Sequence, residues 1–391
     1  MITVAEALAQ VLPLAPRPEV ETVPLRQARG RVLAQAVSAR LTQPPFAASA
    51  MDGYAVATAE VAPGDAFHVI GEAAAGHPYH GTLGPGQAVR IFTGGEVPPG
   101  GKRVIIQEDV QRDGDQITLH GPLDTGPHIR PAGGDFAQGT HVSAPRSLDP
   151  AHIALLAAMG HSTLPVARRP EIALLMTGDE LRAPDAIPGP GEIIGSNGYG
   201  LAALFEAQGA IARLLPIARD TPESLDLALD LAQGADVLVT IGGASVGDHD
   251  LVATTLRKAG AKMAFHGIRM RPGKPLMAGR LKDMSVIGLP GNPVSSFVCS
   301  ILFVLPMIRR ALGLSTEMPE LRLRLTNDLG PNGPRQHYMR AKMDGDGGVL
   351  VADNQDSSLL SVLARSDALV IRPPKDAAKA AGDTVRVLPL P

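Results

Sequence analysis

Between residues 170 and 317 short apolar runs alternate with amphipathic stretches, and three of the apolar runs stop at polar, glycine-rich turns. Val237–Ile241 is the sharpest case, almost wholly apolar, as a strand covered on both faces must be. Ile172–Met176, Ile211–Ile217 and the stretches 263–268 and 284–289 read as further strands. Between them lie helical patterns. Gly198–Gln208 is closed by Gly209. The next starts with Thr221 as N-cap, Pro222 in the first helical position and Glu223 in the first turn, and runs through Leu225, Ala228, Leu229 and Ala232. Residues 250–258 and 293–312 complete the set. This alternation predicts an α/β layered domain with a mostly parallel sheet, which binds ligands beyond the carboxyl ends of its strands.

The rest of the chain has a different texture. Thr3 caps a helix through Val4, Ala7, Leu8 and Val11, and a second helical pattern covers Leu25–Ala36 before Pro44-Pro45 breaks the chain. Short β-like runs follow, among them Ala88–Phe92, Arg103–Gln107 and Gln116–His120, and a helix over Pro150–Met159 ends at Gly160. Near the end Leu321, Leu323 and Leu325 alternate with Arg322 and Arg324, with strands expected near 349–352, 368–372 and 384–388. At 391 residues the chain exceeds one ordinary core. The expected organisation is an elongated, discontinuous N-terminal domain (1–45 plus 137–169), an inserted β-rich domain (46–136), a central α/β domain (170–317) and a small C-terminal β-barrel (318–391).

Composition excludes several functions. Aromatics are 3% with no Trp, and the net charge is −3, so neither stacking platforms nor a basic footprint for nucleic acid is present. The single Cys299 excludes an intrachain disulfide and Cys-based zinc or iron–sulfur sites, and is expected in the core. No basic region precedes the first apolar residues, so no signal peptide is predicted. Ser285–Ile308 is uncharged over 24 residues, but Pro290, Gly291, Asn292 and Pro293 predict a strand, a tight turn and a buried helix, not a membrane span. The expectation is a soluble, cytoplasmic protein. Gly (43) and Pro (35) make up a fifth of the chain, which points to many turns and backbone-lined sites.

The glycine-rich turns carry the chemistry. They are Thr177-Gly178-Asp179-Glu180, Gly242-Gly243-Ala244-Ser245-Val246-Gly247-Asp248-His249-Asp250 and Gly288-Leu289-Pro290-Gly291-Asn292-Pro293-Val294-Ser295. Glycine lets backbone N–H groups approach a ligand, and the latter two turns lead into helices, so such turns suit phosphate. Arg269-Met270-Arg271-Pro272-Gly273-Lys274-Pro275 places three cations around a rigid turn, suited to an oxyanion or a solvated loop. Carboxylates gather at Asp179, Glu180, Asp220, Asp248 and Asp250, and outside the domain at Asp52 and Asp135. They suit Mg²⁺ held through one or two carboxylates plus substrate phosphates, and equally suit turn and cap roles. His249 reads as a surface residue, and Met339 and Met343 as core.

Taken together, these strings resemble the MoeA family of molybdopterin molybdenumtransferases, which includes the E domain of gephyrin. The resemblance rests on Pro44-Pro45-Phe46 with Ser49-Ala50-Met51-Asp52-Gly53-Tyr54-Ala55, and on Phe92-Thr93-Gly94-Gly95 and Thr177-Gly178-Asp179-Glu180-Leu181. It rests equally on Gly242-Gly243 with Ser245-Val246-Gly247, on Arg271-Pro272-Gly273-Lys274-Pro275, and on the turn 288–295. It covers the chain in order.

The resemblance implies a homodimer of four-domain chains with a MogA-like central domain and a site between subunits. It implies Mg²⁺-dependent insertion of molybdate into adenylylated molybdopterin with release of AMP. Asp52, Thr93, Arg130 and Asp135 match one wall of that site. Glu180, Asp220, Asp250, Arg271, Lys274, Pro290, Pro293 and Ser295 match the other. Asp52, Glu180, Asp250 and Lys274 are the expected catalytic residues, and Asp52, Glu180, Asp220 and Asp250 the candidates for holding Mg²⁺ or molybdate. Thr177, Gly178, Gly242, Gly243, Ser245, Gly247, Asp248, Gly291 and Asn292 are expected to complete the substrate surface. A molybdopterin adenylyltransferase and apo-molybdoenzymes are the implied protein partners. The sequence departs from the family pattern at Ala47-Ala48, Gly134, Asp248 and Arg271. Ala47-Ala48 leaves a second reading open, a divergent paralogue that binds the cofactor or acts as a scaffold. A nucleotide-handling hydrolase sharing the α/β domain is a third.

Overall fold

Val237–Ile241 is buried along its whole length at the heart of a six-stranded sheet. The computed structural model describes residues 1–243 and 251–391. It divides into two compact units, Met1–Glu21 with Gly30–Ala34 and Pro165–Pro391, and Thr22–Arg29 with Gln35–Leu164.

In the first unit the sheet order is Ile211–Leu214, Glu171–Met176, Val237–Ile241, Met284–Leu289, Met277–Leu281, Lys262–His266. The first four strands pair in parallel, and the last two pairings, of Met277–Leu281 with Met284–Leu289 and with Lys262–His266, are antiparallel. Side chains alternate between two cores, as a period of two requires. Ile172, Leu174, Val239 and Ile287 face one core, where Leu201, Phe205, Val294 and Val298 cover them. Ala173, Leu175, Leu238 and Val286 face the other, under Leu225, Ala228, Val252 and Leu256. Pro222–Leu231 begins as its sequence predicts, with the Thr221 hydroxyl accepting the Ser224 N–H.

The uncharged run forms the last parallel strand, a turn and the helical stretch Pro293–Ala311. That stretch contains a π turn at Ser300–Val304, where Pro306 supplies no N–H to the ladder. Its length and apolarity would suit a membrane, yet 83% of its apolar window is buried inside the protein, as a core helix requires. Cys299 is fully buried within it. A closed five-stranded barrel follows, made of Leu321–Leu325, Gln336–Met343, Gly348–Val351, Ala368–Arg372 and Thr384–Pro389. Met339 and Met343 pack against its core. Met270–Arg271 pairs alongside Gln336 and His337, which ties the basic turn to the barrel.

The second unit carries a six-stranded sheet in the order Arg103–Ile106, Gly53–Val56, Gln87–Ile91, Ala66–Ala73, Gln116–Leu119, Val110–Asp113. Tyr54 and Val56 face one core and Ala55 the other. Gly53 is obligatory here, since a Cβ would sit 1.8 Å from the Ile105 carbonyl oxygen.

The helix expected over Leu25–Ala36 does not form. Leu25–Gln27 is a single 3₁₀ turn, Gly30 reverses the chain at φ +74°, and Val32–Leu33 is a strand. The buried residues Ala28, Val32 and Leu33 mimic a helical spacing, but strand pairing of Leu33 with Val166 outcompetes it.

Candidate functional site

The three central strands end level with one another, because Met176 pairs with Ile241 and Ile241 with Leu289. Their turns therefore lie side by side. The Thr177 N–H donates to the Ile241 carbonyl (3.1 Å), and the Gly242 N–H to the Leu289 carbonyl (3.1 Å). Together they line a cleft of about 740 Å³. Of the sequence-predicted residues, Thr177, Gly178, Glu180, Asp220, Gly242, Gly243, Pro290, Gly291, Asn292, Pro293 and Ser295 all line it. Met176, Leu181, Ile193, Ile194 and Pro275 add apolar surface to its lining. The cleft thus offers apolar surface for a ring as well as charge.

Carboxylates supply the charge. The Asp220 N–H donates to Asp179 Oδ1 at 3.3 Å, and the Asp220 carboxyl is pushed up by burial and by the neighbouring Asp179 and Glu180. Like charges held this close call for a cation. Among the described residues no group of three His, Cys, Asp or Glu side chains forms a ready metal cage. Two carboxylates facing an open cleft instead fit the Mg²⁺ mode, in which substrate phosphates and water complete the shell. Arg182 secures the turn that carries them. It donates to the carbonyls of Asp179 (2.9 Å) and Leu181 (2.7 Å) and pairs with Glu192.

The turn before the buried helix is braced from two sides. Asn197 Nδ2 donates to the Gly291 carbonyl at 2.7 Å. Asn292 Nδ2 donates to Ser357 Oγ, and the Val294 N–H to the Ser357 carbonyl, both at 3.0 Å. The first amide of the helix, that of Val294, is thus taken by the chain itself. Thr177 is 4% exposed, and its hydroxyl has no partner among the described residues. Asn197, Ser196 and Ser358 also line the cleft, and sequence reading did not single them out. Only Ser196, standing ahead of a helix, carried even a weak signal.

Arg271 and Lys274, two of the three cations of the basic turn, part company. Arg271 lines a second hollow of about 500 Å³, together with Asn332, His337, Asp356 and Arg372. Lys274 lines neither hollow, and its carbonyl accepts the Ile268 N–H. His337 is only 6% exposed. Burial and the surrounding Arg271, Arg372, Arg335 and Arg340 push its pKa down to about 4. No sequence pattern announced this histidine, because Arg271 and Arg372 reach it from distant segments.

In the second unit, Asp52 Oδ1 accepts both the Thr93 N–H (2.7 Å) and the Thr93 hydroxyl (2.8 Å). These bonds, with Arg90 nearby, hold the Asp52 carboxyl below its ordinary range. Arg130 sits on a short strand paired with Ala48–Ser49, and the Asp135 N–H donates to the Gln43 carbonyl. Both side chains are exposed. Ser245, Gly247, Asp248, His249 and Asp250 lie outside the described residues.

A cleft at the carboxyl ends of a covered parallel sheet, lined by carboxylates, glycines and apolar side chains and followed by a small barrel, defines a multidomain ligand-binding chain built on a layered α/β domain. Family profiles match in chain order: the MoeA N-terminal region (domain I and II) over 2–160, a probable molybdopterin binding domain over 173–310, and the MoeA C-terminal region (domain IV) over 322–390. The chain is 36% identical over 389 residues to molybdopterin molybdenumtransferase of Nostoc sp., covering 95% of this chain and 89% of that one. It is 32% identical to the enzyme of that name from Bacillus subtilis, covering 99% and 94%. The crystal structure of a molybdopterin biosynthesis MoeA protein from Pyrococcus horikoshii superposes with a TM-score of 0.85 at 30% identity, covering 100% and 99%. The chain belongs to the MoeA family.

Proposed function

We propose that the protein is a molybdopterin molybdenumtransferase of molybdenum cofactor biosynthesis. In this reading it inserts molybdate into adenylylated molybdopterin in a Mg²⁺-dependent step and releases AMP. The observation that carries the reading is the cleft itself. Glu180 and Asp220 line it beside glycine turns that leave room for a phosphorylated ligand, together with apolar side chains suited to a pterin.

Each residue then has a physical task. Gly178, Gly242, Gly243 and Gly291 let the backbone approach the ligand. Thr177, Asn292, Ser295, Pro290 and Pro293 shape its seat, and by the family resemblance Ser245, Gly247 and Asp248 belong with them. Arg271 and Lys274 offset the repulsion between molybdate and phosphate. Glu180, Asp220, Asp250 and Asp52 are the carboxylates that would hold Mg²⁺ or molybdate, and Mg²⁺ when bound would supply positive charge against the phosphoanhydride. Thr93, Arg130 and Asp135 bind substrate beside Asp52. No enzyme nucleophile is required, and the rate comes from positioning and electrostatics.

The chain acts as a homodimer in the cytoplasm, in which residues of one subunit complete the site of its partner. It receives its substrate from an adenylyltransferase and passes cofactor to apo-molybdoenzymes. Its domains are 1–45 plus 137–169, 46–136, 170–317 and 318–391. A binding-only role is not favoured, because the carboxylates at 52, 180 and 220 are all present.

The test is purified protein with adenylylated molybdopterin, molybdate and Mg²⁺, scored for AMP and for active cofactor. AMP release that needs molybdate supports the reading. Intact pterin binding with no such release overturns it. Mixing inactive Asp52→Ala and Lys274→Ala chains tests the dimer, since shared sites restore activity.

A further inference from the structure

Arg90 is held between two aromatic rings in the second unit. Its guanidinium carbon lies 5.0 Å from the centroid of Tyr54 and 4.7 Å from that of Phe92. The same group donates to the Gly53 carbonyl at 3.2 Å and to Gln107 Oε1 at 2.6 Å. The Gln107 N–H in turn donates to the Asp52 carbonyl at 3.1 Å. The carbonyls of Asp52 and Gly53 are therefore fixed by Arg90 or by the residue Arg90 holds.

The carboxylate is fixed as well. Thr93 saturates Oδ1 with two donors, while Oδ2 has no partner among the described residues. Tyr54 pairs directly across the sheet from Arg90, and Gly53 from Ile91. A planar, weakly hydrated guanidinium can stack on both rings and still donate in its plane, whereas a lysine ammonium cannot do both.

From this geometry we propose that Arg90 is a positioning residue, which locks the Asp52-Gly53 turn so that Asp52 offers Oδ2 alone to the substrate. The inference rests on the reading that Asp52 faces the reacting anions. Arg90 itself touches no substrate. Its proximity also helps keep the Asp52 carboxyl low.

A double-mutant cycle tests the idea, using AMP release from adenylylated molybdopterin with molybdate and Mg²⁺ in the full-length protein. Arg90→Gln and Arg90→Lys are expected to lower kcat by roughly 10- to 100-fold, with KM changed less than about threefold. Phe92→Leu, which keeps the guanidinium but removes one ring, gives a smaller loss in kcat. In an Asp52→Asn background the same Arg90→Gln change costs less than about threefold, since there is no longer a carboxylate to aim. An equal loss in both backgrounds, or an unchanged kcat in the arginine variants, overturns the proposal. If Arg90→Gln does not fold, Arg90→Lys decides by the same cycle. Full activity in Asp52→Asn alone marks a different failure, that of the underlying reading of Asp52.

Discussion

Thr93 gives both its backbone N–H and its hydroxyl to one oxygen of Asp52, at 2.7 and 2.8 Å. The two residues are 41 positions apart and meet because the strands that deliver them are paired neighbours. The sign of the effect follows from the donors, which stabilise the charged carboxylate and lower its pKa. In Thr93→Val one donor is lost and the backbone N–H remains. The Asp52 carboxyl should then titrate at higher pH than in the parent, by carbon-detected NMR of the side chain. An identical titration in the two proteins would contradict this account of the contact.

Gly178 is expected to tolerate no side chain. Its φ is +151°, and a Cβ there would meet the Glu180 carboxylate at 2.6 Å. Gly178→Ala should cost about 1–3 kcal/mol of stability through backbone strain. The displaced Glu180 should lower activity beyond what the stability loss explains. Urea unfolding and steady-state rates on the same preparation separate the two effects.

His337 makes the first unit sensitive to acid. Its folded pKa of about 4 lies below the ordinary histidine value of 6.5. As pH falls through 6.5 the unfolded chain takes up a proton that the folded chain refuses, so stability drops until pH reaches about 4. At ~1.4 kcal/mol per unit, the loss is on the order of 3 kcal/mol. Replacement by His337→Gln should flatten the fall in unfolding free energy between pH 7 and 4.5. Equal slopes would show that the histidine is not the group responsible.

Arg168 and Asp236 form a two-pronged ion pair at 2.7 and 3.0 Å at the opposite end of the sheet from the cleft. Glu19 also binds Arg168 (2.6 Å), and Asp236 accepts the Glu171 N–H (2.7 Å). Asp236→Asn should cost about 1–3 kcal/mol, since it weakens bonds to a charged partner. At temperatures where the variant is folded its kcat should match the parent. A large fall in kcat with unchanged stability would show coupling across the sheet.

The parallel sheet was legible because burial on both faces leaves a mark that polar surface cannot imitate. Val237–Ile241 is apolar throughout and is buried throughout. The three glycine turns were legible for a related reason, since a chain that stops a buried strand at a polar glycine must expose backbone there. The helix over Leu25–Ala36 failed because spacing alone cannot tell a helix face from a turn followed by a buried strand. Arg271 and Lys274 stand three residues apart, yet only Arg271 faces a hollow, because the pairing of Met270–Arg271 with Gln336 and His337 turns it toward the barrel.

By itself, then, the sequence determined which strands are covered, where they stop, and which residues stand at those ends. These are local matters of period, turn chemistry and side-chain polarity. Tertiary structure alone decided which side chains meet. The carbonyl of Ser357 caps the turn at Val294, four arginines surround His337, and two rings enclose Arg90. Ser357, Arg271, Arg372 and Tyr54 each come from a segment tens of residues from the residue they meet, so those energies depend on distances that no local pattern encodes.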